Sequence, residues 1–493
     1  MTHLGRKIAS GAAWMLVMRF VVRGIGLVST VIVARLLTPE DFGLVALGTS
    51  VYTLVEFLGS FGFGEAIIQR HDTERAHYDT AWTLNVTYGL LAASALALLA
   101  GPIAAFFSEP RLRMIIYVLA ATFFVERLEN TAVDGFRKEL EMHKVFMLQV
   151  AEKITAFMTT VSIALIFRTY WALVAGIGVG AVAYVGMSYQ LTDYRPRLSF
   201  SKFNELFSFS KWLFLNNILT YVDRKSGAVI IGKLIGSSAL GFYNVAYEIS
   251  TLPTAELVKP LNLALFPGYS KVKDQPQTLR GYYLKALSLI SLVALPAAVG
   301  LSLTAPYVVP LLLGSQWQES IPLMQILALS GLAQAPGIVN MGVHLAKNQP
   351  QLNMAFTAAK VVLLIPLLIY AVIHWGVIGA AWVHLGVNFA LLPFRLWVVK
   401  RSLALQAREM IAALWRPLLA TGVMAWAVHA TAGHLAGFPL GGEVIVLVAA
   451  GALVFTAVVL AAWIMAGKPE SGEEYLIHQI RSALPRPMRY GQG

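Results

Sequence analysis

Residues 12–36 read AAWMLVMRFVVRGIGLVSTVIVARL. At 1.5 Å per residue a helix of this stretch is roughly 37 Å long, enough to cross the ~30 Å hydrocarbon core of a bilayer. It is too long for the apolar region of a signal peptide and carries arginines in its interior, so it reads as a retained first helix. Arg19 and Arg23 are four residues apart and share one helix face. A charge at the bilayer centre costs from about 2.5 kcal/mol upward. Such residues therefore face a partner or a water-filled cavity rather than lipid.

The same reading extends along the chain. Of 493 residues, 57% are hydrophobic and 13% charged, with a mean hydropathy of +0.66; soluble domains carry about 25% charged residues. Apolar segments recur at 12–36, 42–63, 80–101, 113–134, 146–167, 171–191, 211–235, 240–266, 285–305, 321–343, 354–374, 377–398, 411–430 and 443–466. The fold class is an all-α polytopic membrane protein of about fourteen helices. With the N-terminus inside, the cytoplasmic segments and helix ends hold 25 Lys/Arg, from Arg6 and Lys7 through Arg70, Arg195, Arg416 and Arg489. The outer ones hold five: Arg35, Arg111, Arg113, Arg168 and Lys233. This asymmetry places both termini in the cytoplasm. The net charge of +12 is thereby an orientation signal, and no nucleic-acid partner is expected.

Shifted by 198 residues, the first helix lies on the seventh without a gap. Ser10 falls on Ser208, Trp14 on Trp212, Val31 on Val229, Ile32 on Ile230, Leu36 on Leu234 and Gly43 on Gly241, while Arg35 meets Lys233. The shift spans six helices, an even number, so the repeat is parallel. Transporters built in this way place substrate between the halves and alternate access by rocking them. The expected domains are an N-lobe at 1–200, a C-lobe at 201–401, two additional helices at 402–467 and a basic cytoplasmic tail at 468–493.

Further charges fall inside the proposed helices. Arg127, Lys153, Arg224, Lys225, Lys259 and Lys360 join Arg19 and Arg23, with Glu56, Glu126, Glu129, Glu152, Asp223, Glu248 and Glu256. Two arginines on one face repel each other unless an anion or a carboxylate lies between them. Either Arg19 and Arg23 bind a phosphate or pyrophosphate, whose oxygens guanidinium grips in bidentate fashion, or they pair with Glu126 or Glu56. Adjacent helical residues diverge by about 100°, so Asp223, Arg224 and Lys225 cannot all face one lumen. Asp223 is a candidate for ion coupling and Arg224 for substrate contact; the alternative is a local pair with Glu248 or Glu256. Arg127 is a further pyrophosphate candidate unless Glu126 and Glu129 neutralise it. Lys153, Lys259 and Lys360 lie within a few turns of the cytoplasmic face, where snorkelling accounts for them.

There is no cysteine, P-loop, Gly-rich dinucleotide loop or HExxH pattern. The ten histidines show no metal-ligand spacing, so neither metal nor cofactor is expected. Uphill transport would draw on an ion gradient or a downstream sink.

Several segments together resemble one family. Leu36-Leu-Thr-Pro-Glu-Asp-Phe-Gly43 follows the first helix, and Phe61-Gly-Phe-Gly-Glu-Ala-Ile-Ile-Gln-Arg70 closes the second. Leu311-Leu-Leu-Gly-Ser-Gln-Trp317 precedes Ile321-Pro322, and Ala346-Lys-Asn-Gln-Pro350 and Gly376-Val-Ile-Gly-Ala-Ala381 come later. In this order they resemble bacterial polysaccharide transporters, the Wzx-like lipid-linked oligosaccharide flippases of the multidrug/oligosaccharidyl-lipid/polysaccharide exporter superfamily. The exopolysaccharide, colanic-acid type is the nearest in flavour. The resemblance covers most of residues 5–400. It implies two six-helix lobes in a V shape around a cationic lumen, plus the two C-terminal helices. It also implies movement of an undecaprenyl-pyrophosphate-linked oligosaccharide, such as an exopolysaccharide or O-antigen repeat unit, from the cytoplasmic to the periplasmic leaflet of a bacterial inner membrane. Arginines in the first helix at the lumen match Arg19 and Arg23. Membrane lipid and a polysaccharide polymerase or export machinery are the expected partners of a monomeric chain.

Two other functions compete. An ion-coupled multidrug exporter of the same superfamily calls for an acidic, aromatic site, whereas the sharpest candidates here are basic. A membrane glycosyltransferase or polymerase calls for a carboxylate in a sizeable outer loop, and Glu40-Asp41 and Glu319 sit in short ones. The chain therefore reads as a transporter and not an enzyme.

Overall fold

The computed structural model describes residues 3–477 apart from 60–61, 70–71, 436–437, 470 and 476. Arg70 and the tail arginines Arg481, Arg486 and Arg489 lie outside the described residues, as do the side chains of Arg6, Lys7, Lys211 and Lys259. The helices are α1 (His3–Leu36), α2 (Pro39–Leu58), α3 (Phe63–Gln69), α4 (Arg75–Phe106), α5 (Leu112–Arg127), α6 (Val133–Lys138), α7 (Met142–Phe167) and α8 (Trp171–Gln190). They continue as α9 (Phe203–Leu234), α10 (Ser237–Pro253), α11 (Lys259–Lys271), α12 (Pro276–Leu312), α13 (Ser320–Ala346), α14 (Pro350–Ser402), α15 (Ala407–Ala432) and α16 (Leu440–Met465).

Among the described residues there is no strand, and ten helices are long and apolar enough to cross a membrane. The chain is a multi-pass membrane protein, as its composition requires. The ten are fewer than the fourteen expected segments: the seventh, in the charge-bearing α9, is not among them, and three further differences have identifiable reasons. α5 has only 16 residues. The eleventh and twelfth segments join in α14 across a break at Gly376, whose φ of 63° and ψ of −152° suit a residue without Cβ. The eighth segment is interrupted by a π-helical turn, Thr254–Val258, directly after Pro253. The expected helix at 113–134 is corrected: it stops at Arg127, and the chain turns through Asn130 into α6.

The Thr-Pro-Glu-Asp motif is an N-terminal helix signal. The Thr38 hydroxyl accepts from Asp41 N at 3.3 Å, the Asp41 carboxylate accepts from Thr38 N at 3.0 Å, and Pro39 supplies a pre-set φ at the first position. The repeat is visible in the helix limits. α1 and α9 end at Leu36 and Leu234, and α2 and α10 begin at Pro39 and Ser237, each pair 198 residues apart.

The chain divides into two compact units, Met1–Asn244 and Val245–Gly493. The first holds α1 to α9 and the start of α10. Its helices meet through small residues, as membrane helices do. Gly48 on α2 faces Ile115 and Leu119 on α5, and Gly176 and Gly180 on α8 face Thr160 and Ala156 on α7. The irregular segment 191–202 is fastened to this unit. Asp79 Oδ1 accepts from Tyr194 OH at 2.5 Å and Arg197 N at 2.9 Å; Thr83 Oγ1 accepts from Ser199 N at 2.9 Å. Asn130 Nδ2 donates to Thr192 Oγ1 and to the Tyr194 carbonyl. In the second unit, α12 and α13 are the most deeply buried spans, around a core that includes Tyr269, Tyr283, Leu287, Val339 and Val343.

Candidate functional site

The first unit carries all five residues singled out for binding or coupling. α1 packs along α7: Gly11 lies under Met142, the Trp14 and Phe146 rings are 5.0 Å apart, and Met18 touches the cluster of Val133, Phe136, Val145 and Leu148. Contacts advance together along both helices, so the two run parallel. That register sets Arg19 at the level of Glu152 and Lys153, and Arg23 one turn further. Both arginines are partly buried, whereas Leu16 and Phe20 beside them are exposed. Lys153 pairs with its own neighbour Glu152 at 3.1 Å.

Two carboxylates elsewhere in this unit are engaged by tyrosines. The Tyr52 hydroxyl on α2 donates to Glu126, and the Tyr184 hydroxyl on α8 donates to Glu129 Oε1 at 3.1 Å. Glu56 and Glu152 are close enough to act on Glu126 electrostatically, although Glu56 is itself exposed. Arg127 closes α5 with its guanidinium 4.6 Å over the Phe123 ring. Gly89 leaves room for its stem, since a Cβ there would stand 2.6 Å from Arg127 Cβ. Tyr52 and Tyr184 escaped the reading from sequence, which searched for opposite charge. The available signal was the phenol itself, because a Tyr hydroxyl within a membrane span seeks a polar partner.

α9 crosses α2 in the opposite direction. Phe57 faces Tyr221 with ring centroids 6.4 Å apart, and Leu47 presses on Gly232. The register places Asp223 and Arg224 opposite the Tyr52–Glu56 stretch. Asp223 and Lys225 are partly buried and Arg224 is exposed, the divergence that helical geometry requires. The structure thus groups two sets in one unit: Arg19 and Arg23 at the level of Glu152, and Asp223 and Arg224 alongside the helix that holds Tyr52 and Glu56. Arg127 points at an aromatic face.

In the second unit the buried polar groups are mostly neutral. Tyr283 OH donates to Asn340 Oδ1 at 2.9 Å, Asn340 Nδ2 donates to the Arg395 carbonyl at 3.2 Å, and His344 Nδ1 lies 2.9 Å from Asn353 Oδ1. Among the described residues, a buried ion pair is the exception, and it joins the start of the tail to the bundle. Arg416 Nε donates to Glu473 Oε1 at 2.7 Å, with both side chains at most 5% exposed. Ser288 Oγ donates to the same carboxylate at 3.1 Å, and Gly472 lies against the Leu289 backbone. Burial, the largest single influence, would raise the Glu473 carboxyl, but the hydrogen bonds from Arg416, Ser471 and the backbone and the Arg416 charge together hold the group below the usual carboxylate range. Arg416, expected as a positive charge at a cytoplasmic helix end, is a buried structural ion. A cavity of about 560 Å³ lies between α10, α12, α15 and α16, lined by residues such as Pro296, Met424 and Phe455. Among the described residues no cluster of His, Asp and Glu could hold a metal ion.

Residues 32–322 match the polysaccharide biosynthesis protein family. The chain belongs to that family. The match begins inside α1 and ends at the start of α13, so it spans the charged stretches of α2, α5 and α9. Among relatives of this polysaccharide biosynthesis protein, the lipopolysaccharide biosynthesis protein WzxC of Escherichia coli (strain K12) is 28% identical over 428 residues, covering 84% of this chain and 85% of its own. The succinoglycan biosynthesis transport protein ExoT of Rhizobium meliloti (strain 1021) is 22% identical, covering 92% and 93%. Among solved structures, the lipid II flippase MurJ in an inward closed conformation superposes with a TM-score of 0.77 at 11% identity, over 91% of this chain and 98% of that one. This last likeness is one of fold.

Proposed function

We propose that this polysaccharide biosynthesis protein translocates an undecaprenyl-pyrophosphate-linked oligosaccharide from the cytoplasmic to the periplasmic leaflet of a bacterial inner membrane, with both termini in the cytoplasm. The observation that carries this reading is the family membership of a chain whose first helix sets two partly buried arginines four residues apart on one face. A transport protein of succinoglycan biosynthesis and a lipid II flippase among its relatives in sequence and fold support it. Arg19 and Arg23 are the residues proposed to grip the pyrophosphate, because paired guanidinium groups match its oxygens in geometry and charge. Arg127 and Arg224 are secondary contacts, and Asp223 the ion-coupling group. The proposed domains remain the two six-helix repeats, 1–200 and 201–401, followed by the added pair and the tail. Polymerase or export machinery would take the cargo at the outer face.

Deleting the gene tests the function. The expected result is accumulation of a lipid-linked repeat unit on the cytoplasmic leaflet together with loss of surface polymer. Absence of the lipid-linked unit itself would overturn the reading and point to an enzymatic step instead.

A further inference from the structure

We propose that the crossing of α2 and α10 at Gly43 and Gly241 is the outer gate of the transport path, an inference that rests on the translocation reading above. The two glycines stand 198 residues apart and so are equivalent in the repeat. A Cβ on Gly43 would lie 1.7 Å from the Ser237 carbonyl oxygen and 2.9 Å from Gly241 N; a Cβ on Gly241 would lie 1.8 Å from the Pro39 carbonyl oxygen and 3.2 Å from Gly43 N. Pro39 and Ser237 are themselves repeat equivalents, so each half of the contact is the image of the other. It is a self-complementary contact inside one chain, built as a two-fold interface is built between chains.

Its chemistry suits a joint that closes tightly and parts again. Backbone meets backbone through two residues without side chains, so close approach comes from packing and weak Cα–H···O contacts rather than interlocked side chains. Both ends of the joint are braced by the end of α4 and the segment that follows it. Arg111 reaches Glu40 at the start of α2 and pairs with Glu109 at 2.8 Å, and Lys233 near the end of α9 lies 5.0 Å from the Phe106 ring centroid. With the N-terminus inside, these helix ends face the periplasm. A cargo that leaves between the two repeats on that side must pass between α2 and α10, and the glycine contact must separate to release it.

The chain has no cysteine, so the Pro39→Cys/Ser237→Cys pair introduces two thiols into a silent background and leaves both glycines in place. Cells lacking the gene would express the pair and be treated with bifunctional thiosulfonates of graded length. Polymer export would be measured before linking, after it, and after reduction. The gate predicts efficient linking by short reagents, at least a tenfold fall in export, and recovery on reduction. Export within twofold of the reduced protein after complete linking would overturn it, as would failure of every reagent to link. The unaltered chain failing to restore export to the same cells would instead sink the translocation reading, so the two failures are distinguishable.

Discussion

In the first unit, tyrosine hydroxyls serve carboxylates: Tyr52 donates to Glu126, and Tyr184 to Glu129. In the second, the fully buried Tyr283 donates to a neutral asparagine inside a packed core. The second unit's buried ion pair is closed on itself, Arg416 on Glu473, with Ser288 completing the carboxylate's bonding. The first unit's candidate cations are spread along α1, α5 and α9, Arg19, Arg23 and Arg127 partly exposed and Arg224 exposed. The closed pair is sealed from solvent, whereas the first unit's charges stay at least partly exposed to it. On the proposed function, this contrast would put the ligand chemistry in the first unit and leave the second unit's pair a structural part.

The largest effect is expected at the arginine pair. Arg19→Ala/Arg23→Ala should lower polymer export by about a hundredfold or more, with normal membrane abundance by immunoblot, since two charge-assisted bidentate contacts to one anion are lost. Arg19→Lys/Arg23→Lys should restore part of it, keeping the charge without the fork. Full export from the alanine pair would remove the proposed division of roles.

The next test breaks the closed pair. Glu473→Ala leaves Arg416 buried without its partner, and loss of one member of a buried ion pair costs about 3–5 kcal/mol. The expected outcome is a lower unfolding temperature in detergent, with export falling only as far as the amount of folded protein does. The pH dependence has a definite sign. A carboxyl held below its ordinary value stabilises the fold above the unfolded-state value, and that contribution is lost as pH falls through the folded one. The wild-type chain should therefore lose stability on acidification, and Glu473→Ala should lose less of it over the same range.

A matched pair of smaller changes sharpens the comparison. Tyr52→Phe removes the donor to Glu126, and stranding a buried acceptor costs on the order of 1–3 kcal/mol. Because that carboxylate adjoins Arg127, one of the proposed ligand contacts, export per folded molecule should drop by about tenfold in a vesicle or cell assay. Tyr283→Phe makes the same chemical change in the second unit. It should likewise cost on the order of 1–3 kcal/mol of stability and leave export per folded molecule unchanged.

Much of the fold was legible in the sequence. Apolar runs of membrane length announced the helices, and the 198-residue shift anticipated coincident helix ends at Leu36 and Leu234. What hydropathy could not register were events that leave composition unchanged. The π-turn after Pro253, the sharp break at Gly376 and the early stop at Arg127 all occur within stretches that remain apolar on average. The candidate arginines were legible because charge in an apolar run is conspicuous. Tyr52 and Tyr184 were not, since a phenol is apolar by composition and polar by one atom. The Arg416–Glu473 pair was illegible for another reason: Glu473 stands beyond the last apolar run, where a charge is ordinarily solvated.

The segment 191–202 joins the two proposed repeats, yet Asp79, Thr83 and Asn130 hold it by specific hydrogen bonds. A tether of that kind has a defined length. Cutting the coding sequence here to express the repeats as separate chains would leave those side chains in the first fragment facing a free, mobile end. Inserting a fluorescent protein at the same point would pull the backbone of Arg197 and Ser199 off its acceptors. The duplicated halves look separable in sequence, but the stitch between them behaves as part of the first half's fabric.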